Sequence, residues 1–512
     1  MSKNKPKLIF CVCLITSSSE PISKLFDEYW NWRLAHSPEF ATLIGNKEHN
    51  DVLEHFTEER YEEDFKRCKE FKESATKLHK NAKDPNDKLN LKFFIAEVST
   101  FIEGYPFKGF YFPISFKGGI HKEFPKLVQS PVNEKDFKDI LARYKAFPSY
   151  VNQTIQMMTI AMEKNLTIHA VSLQGVVEHC KQHSSASPND TAFYKPFMIA
   201  DEVCNNEKEG DKFRNEAIDR IKKYVQPGFS RLAEFLEKKY LPATRTDIAV
   251  SSLPNIGKKF YKACLKYHTS TDLTAEEIHK LGVKEVKRIE GDMKEVIKEL
   301  GLKMSLKDFK KYLKNNKDNF YNSAQEVLDH ATNLNDEVFP KLSKLFNNIT
   351  KTPLNIVHSP SDKFPPAIYR AGTEDGTKNA TLLINNHNYA TFPRYLMLSL
   401  VLHEVYPGHH LHVTYMLQRK DIPKFRKVIE NRKGGQAPSL FAANTVFTEG
   451  WGMYSELLGH DLGLYKDPMD RYGQLRQTFK INLHKILGVG SRGQDFFTCI
   501  SKVKHTTKGE SD

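Results

Sequence analysis

Tyr395-Leu-Met-Leu-Ser-Leu-Val-Leu402 runs directly into His403-Glu404-Val405-Tyr406-Pro407-Gly408-His409-His410. An apolar helix is expected to end there on three histidines and a glutamate. Two histidines four apart on one helical face, with a glutamate between them, bind Zn²⁺ in the H-E-x-x-H pattern, and the glutamate then acts as general base toward water. Here the second histidine arrives two residues late. Pro407 removes a backbone donor and Gly408 relaxes the φ restriction, so a two-residue bulge would return His409 to the face of His403. In an unbroken helix His410 shares that face instead. It would then lie about 10.5 Å along the axis, too far for both rings to reach one metal at roughly 2.1 Å. His409 is therefore the preferred ligand beside His403, and His410 is kept as a substrate-facing group or an alternative ligand. The competing reading is a histidine-rich helix end that interacts favourably with the macrodipole.

A catalytic zinc takes three protein ligands and leaves a position open. Thr448-Glu449-Gly450-Trp451-Gly452-Met453-Tyr454-Ser455-Glu456 is the best source of the third. Glu449 and Glu456 are seven apart, hence on one helical face, among apolar and aromatic neighbours. Glu449 is assigned to the metal. Glu456 is either a carboxylate that orients a ligand histidine or a solvated helix charge.

Outward from these motifs most of the chain reads as amphipathic helix. Thr274 can cap a helix while Glu277 reaches back. Ile278, Leu281, Ile289, Met293, Ile297 and Leu300 then lay an apolar face on a core, and Gly301 ends the helix. Similar periodicity runs through Phe26–Leu43, Phe137–Lys164, Glu216–Lys239 and Ser323–Asn347, with breaks near Asp84–Asp87, Ser184–Asn189 and Gly434–Ser439. One segment departs from this pattern: Ala380-Thr-Leu-Leu-Ile-Asn385 is short and apolar and suits a β-strand. No internal repeat is present.

The 512 residues can bury a large core, and 39% hydrophobic residues exclude wholesale disorder. No run of eighteen apolar residues spans a bilayer. The net charge of +13, from 76 Lys+Arg against 63 Asp+Glu, is spread in short interrupted runs such as Lys258-Lys259 and Lys310-Lys311. A polyanion-binding stripe would cluster on one face, so nucleic acid is not an expected partner. At the N-terminus Lys3, Lys5 and Lys7 precede the apolar run Leu8–Thr16 and Ser17-Ser18-Ser19, the layout of a signal peptide cleaved after Ser19. The alternative is a first helix or strand tucked into the core. The address is accordingly secreted or lumenal in the first case and cytoplasmic in the second. Seven scattered cysteines define no disulfide framework.

The sequence resembles the family called domain of unknown function 885, whose members look like zincin-type metallopeptidases. The resemblance is carried by His403–His410 and by T-E-G-W-G-M-Y-S-E-L-L-G from Thr448 to Gly459. Supporting stretches are Phe26–Gly45 and Thr274–Gly282, and it covers roughly residues 20 to 476. It implies a mainly α, large helical two-lobed zincin-like body with a small antiparallel β-sheet near the active site. After a leader at 1–19, residues 20–480 would form one helical domain, catalytic over about 354–476. His403, His409 and Glu449 would hold one Zn²⁺ per chain, with Glu404 as base acting on a short peptide. Thr381–Asn385 would be the edge strand that pairs with an extended peptide.

The likeness fades after Arg476, where the family continues with a long helical segment. Here residues 481–512 read as a divergent, poorly ordered tail. A shortened end would remove a group that stabilises the oxyanion, worth about 10²–10³ in rate. Tyr454 or His410 are the residues that can take its place. Two functions are open: a zinc-dependent peptidase of short peptides, or a catalytically impaired, metal-containing protein that holds peptides. A basic polyanion binder rests on net charge alone. Substrate preference and oligomeric state are not legible.

Overall fold

The computed structural model describes residues 19–486 apart from 128, 129, 350, 351, 375, 377, 431, 432 and 442–444. The leader read in residues 1–19 therefore lies outside the described residues up to position 18, as does the tail beyond 486. The helix Pro468–Ile486 crosses the boundary expected at 480, so the first part of the segment read as a tail is helical. Cys68, Cys180, Cys204 and Cys264 carry free thiols.

The chain is mainly helical and divides into two compact units, one holding the described residues of 272–422 and 444–490, the other those of 18–271 and 423–443. Among the described residues, no helix is long and apolar enough to cross a membrane.

The second of these units contains α1 (Glu20–His36), α2 (Glu58–Asn81), α3 (Pro85–Gly104), α4 (Glu134–Glu163), α5 (Val176–Ser185), α6 (Glu207–Arg220), α7 (Gln226–Phe235) and α8 (Gly257–Thr269). Polar caps start several of them. The break read at Asp84–Asp87 is such a start: the Asp84 carboxylate accepts from the N–H groups of Asn86 and Asp87 at 2.8 and 3.0 Å, satisfying two donors that α3 leaves open. Asp84→Ala is expected to lower stability by about 1 kcal/mol, read as a shifted denaturation midpoint; an unchanged midpoint would remove the cap from the account. The core here is aromatic, with Tyr29 edge-on to Phe94 at 4.8 Å and to Phe71 at 5.4 Å. The buried guanidinium of Arg33 is paired with Glu430 at 2.9 Å, and Ser37 donates to the other oxygen of that carboxylate at 3.0 Å. A buried charge stripped of such partners is strongly destabilising.

The other unit contains α9 (Ala275–Glu299), α10 (Leu306–Asn315), α11 (Ala324–Val338), β1 (Leu354–His358), β2 (Ala367–Arg370), β3 (Ala380–Ile384), α12 (Met397–Glu404), α13 (His409–Gln418), α14 (Thr445–Asp461) and α15 (Pro468–Ile486). The capping box at Thr274 is formed with both of its hydrogen bonds, and Gly301 adopts φ +71° just past α9. Ile278, Ile289, Met293 and Ile297 are buried as expected, whereas Leu281 is 42% exposed. Leu281 lies at the margin of the inward stripe of α9, which also takes in Gly282 and Val296.

The sheet corrects two expectations. It is mixed rather than antiparallel, in the order β1-β3-β2, with β1 parallel and β2 antiparallel to β3. The strand read at 380–385 exists, but it is the centre of the sheet and has no open edge. Leu382 and Ile384 of β3 are fully buried against Val401 and Leu402 of α12 and Val327 of α11. A central strand buried on its faces reads as a continuous apolar run, which is why it alone stood out in the sequence.

Candidate metal centre

Met397–Leu402 of α12 is buried throughout. That apolar anchoring fixes the helix end, and His403 and Glu404 are its last two residues. The chain does not continue as a bulged helix, as the spacing predicts. The helix stops, the chain turns through a cis Tyr406–Pro407 peptide, and α13 begins at His409. A Cβ on Gly408 would stand 1.8 Å from the His403 carbonyl oxygen, so the chain can cross the helix end this closely only with glycine there. The turn achieves what the bulge would have: the His403 and His409 rings lie 4.8 Å apart at 89°.

α14 completes the set from the E-G-W stretch. Glu449, Gly452 and Glu456 share one face of it. A Cβ at Gly452 would lie 2.6 Å from two ring atoms of His403, so the helix backbone packs directly on that imidazole. Glu449 Oε2 then stands 3.6 Å from His403 Nε2. Glu456, 1% exposed, accepts from His403 Nδ1 at 2.8 Å with one oxygen and from the Ser399 hydroxyl at 2.8 Å with the other. Of the two readings of Glu456, orientation of a histidine is the one the structure shows. With Nδ1–H given to Glu456, Nε2 is the ring atom of His403 turned toward Glu449. The Trp451 indole N–H donates to the carbonyls of Pro407 and Gly408 at 2.9 and 3.2 Å, tying α14 to the turn.

Ligand atoms of His403, His409 and Glu449 all lie within 4.8 Å of one another. Three donors at roughly 2.1 Å from a tetrahedral ion are about 3.4 Å apart, so small side-chain rotations would let this set reach one ion. Burial opposes charging His403, but hydrogen bonding to Glu449 and Glu456 and the field of Glu456 and Glu404 raise its pKa to about 10. The pocket thus favours a cation. Two imidazoles with a carboxylate suit zinc.

Glu404, next to His403, accepts the main-chain N–H of Tyr369 at 3.2 Å. In an antiparallel pair the main-chain groups of alternate residues point the same way. The Tyr369 N–H therefore marks the side of β2 turned away from β3, and the edge strand of this site is β2, not Thr381–Asn385. His410 is fully buried rather than substrate-facing, and it is not among the converging donors. Its Nε2–H donates to the Thr352 carbonyl at 3.2 Å, and its Nδ1 accepts the Tyr369 hydroxyl at 3.2 Å. Burial lowers its pKa, consistent with this neutral tautomer. Tyr454 is 44% exposed and meets Trp451 with ring centroids 6.1 Å apart. Its place in α14 is about 140° round the helix from Glu449, away from the side that faces His403.

Tyr369 and Ser399 were not anticipated. Ser399 carried a signal: a lone hydroxyl in an apolar helix, four residues before His403 and so on its face. Tyr369 carried none, since a four-residue strand has too little pattern to show.

A comparison with curated proteins finds no match. Among solved structures the chain is similar to "the putative lipoprotein from Colwellia psychrerythraea", with 21% identity and a TM-score of 0.79, covering 92% of this chain and 83% of that one. It is also similar to "a putative lipoprotein of unknown function from Shewanella oneidensis", with 13% identity and a TM-score of 0.59, covering 91% and 82%. These likenesses concern the fold. The family assignment comes from the sequence, which one family model follows past Arg476 and through nearly the whole chain. Matched over residues 38–489, the chain belongs to the family described as "Bacterial protein of unknown function (DUF885)".

Proposed function

We propose that this chain is a zinc-dependent peptidase of short peptides. The observation that carries the reading is the convergence of His403, His409 and Glu449 within 4.8 Å beside Glu404. His403, His409 and Glu449 would hold the ion, whose chemistry is to polarise a carbonyl oxygen and acidify water. Glu404 takes the proton from water and passes it to the leaving amine. The Tyr369 N–H fixes the Glu404 carboxylate, while Glu456 and Ser399 fix His403. The open edge of β2, at Ala367 and at the Tyr369 carbonyl, offers main-chain groups to an extended peptide.

A metal-containing protein that binds peptides without cleaving them is the second reading. It is favoured by the state of the two expected oxyanion donors: both nitrogens of His410 are engaged within the chain, and Tyr454 faces elsewhere.

Elemental analysis of wild type and His403→Ala, paired with hydrolysis of quenched peptides, separates these. About one zinc per chain, lost in the variant together with hydrolysis, supports the peptidase. Zinc with saturable peptide binding and no hydrolysis supports the second reading. Absence of zinc from both samples sinks the ligand assignment.

A further inference from the structure

A cavity of about 780 Å³ opens in the same unit, beside β1 rather than β2. That volume lies in the range of small-ligand sites. None of His403, His409 or Glu449 lines it. Its walls include Phe339, Ile356 and Tyr406, and the Phe339 and Tyr406 rings form an aromatic corner with centroids 5.1 Å apart at 63°.

One end of the lining is made of acceptors. Thr332 gives its hydroxyl hydrogen to the Leu328 carbonyl at 2.9 Å and so presents lone pairs alone. The Asn335 amide nitrogen donates to Asp336 at 3.2 Å and so steadies that carboxylate at the cavity, while its own Oδ1 is shielded from solvent. Asp336 is the one charged side chain among the described lining residues. The nearby lysines do not neutralise it, because its neighbour Glu337 takes Lys341 at 2.6 Å and Lys466 at 3.8 Å. The Asp336 carboxylate and the Thr332 hydroxyl oxygen beside an aromatic wall call for a group that only donates, and an ammonium is such a group.

We infer that this cavity is a ligand site separate from the metal centre, taking a primary ammonium on an aromatic or branched aliphatic body. The ammonium sits at Asp336 and the apolar body lies against Phe339, Tyr406 and Ile356. The Tyr406 ring also stands 5.0 Å from that of His410, the neighbour of His409 in α13.

Calorimetric titration of the full chain with 2-phenylethylamine tests this. Saturable binding at one site per chain is expected, weaker by about tenfold in Asp336→Asn, where the charge-assisted contact is lost. Thr332→Trp, which places an indole in the lining, abolishes binding. Both positions are exposed on α11, so each variant keeps the wild-type circular dichroism and melting. His403→Ala binds the amine as wild type does, which separates this site from the metal reading. Absence of saturable heat in wild type overturns the inference, as does unchanged affinity in both cavity variants. So does phenylacetate binding as tightly as the amine, a comparison that needs no variant.

Discussion

Glu404→Gln is expected to lower peptide turnover by about 10²–10⁴-fold while leaving metal content and peptide affinity near wild type. The amide is nearly isosteric with the carboxylate, and its oxygen can still accept the Tyr369 N–H that now lies 3.2 Å from Glu404 Oε2. The position therefore stays filled and oriented. What is lost is the ability to take a proton from water and return it to the leaving amine. Rates and elemental analysis on the same preparation make the result specific. Turnover within tenfold of wild type would exclude Glu404 as the base. Loss of metal along with turnover would mean that the residue holds the site together instead.

The second large effect is steric and concerns two glycines in one helix. An added Cβ at Gly452 would stand 2.6 Å from Cε1 and Nε2 of His403, whereas one at Gly450 meets nothing within 4 Å. The imidazole cannot retreat easily, because Glu456 holds its Nδ1 at 2.8 Å and Glu456 is itself held by Ser399. Gly452→Ala must therefore displace His403 or push α14 away and carry Glu449 with it. Metal affinity is expected to fall by at least about 100-fold, the upper range for disturbing a ligand's support, and stability by about 1–3 kcal/mol from overpacking. Gly450→Ala is the internal control. It should leave metal binding intact and, by removing an exposed helix-interior glycine, raise stability by about 0.5–1 kcal/mol. Competition with a chromogenic chelator reads the first effect and thermal melting the second. Equal metal affinity in the two variants would show that α14 does not bear on His403.

The parts of this protein that were legible in the sequence are those set by the periodicity of a helix. Thr274 and Glu277 announce a capping box, and Gly301 a helix end, because both depend on neighbours within one turn. His403, Glu404, His409 and Glu449 were legible because two short motifs concentrate metal-ligating and acid–base side chains, and the structure brings the three ligand candidates together. Even there the mechanism differed: His409 reaches His403 through a broken helix and a turn, not through a bulge.

Tertiary structure alone decided the rest. β3 stood out by its apolar run, but which strand lies at the edge depends on partners drawn from residues 354–370, and that pairing has no local signature. Tyr369 reaches Glu404 across 35 positions and His410 across 41, and Glu456 reaches His403 across 53. Contacts at such separations come from how elements pack, not from spacing along the chain. Tyr454 and His410 show the same limit from the other side. Each sits beside a true motif residue, yet the helical phase of one and the close packing around the other remove them from the reacting face. The sequence by itself determined which residues carry the side-chain chemistry that a metal ion or a general base would need. The packing of α14 on His403 and of β2 on Glu404 decided which of them stand together, because a side chain's direction is fixed only when its element is docked.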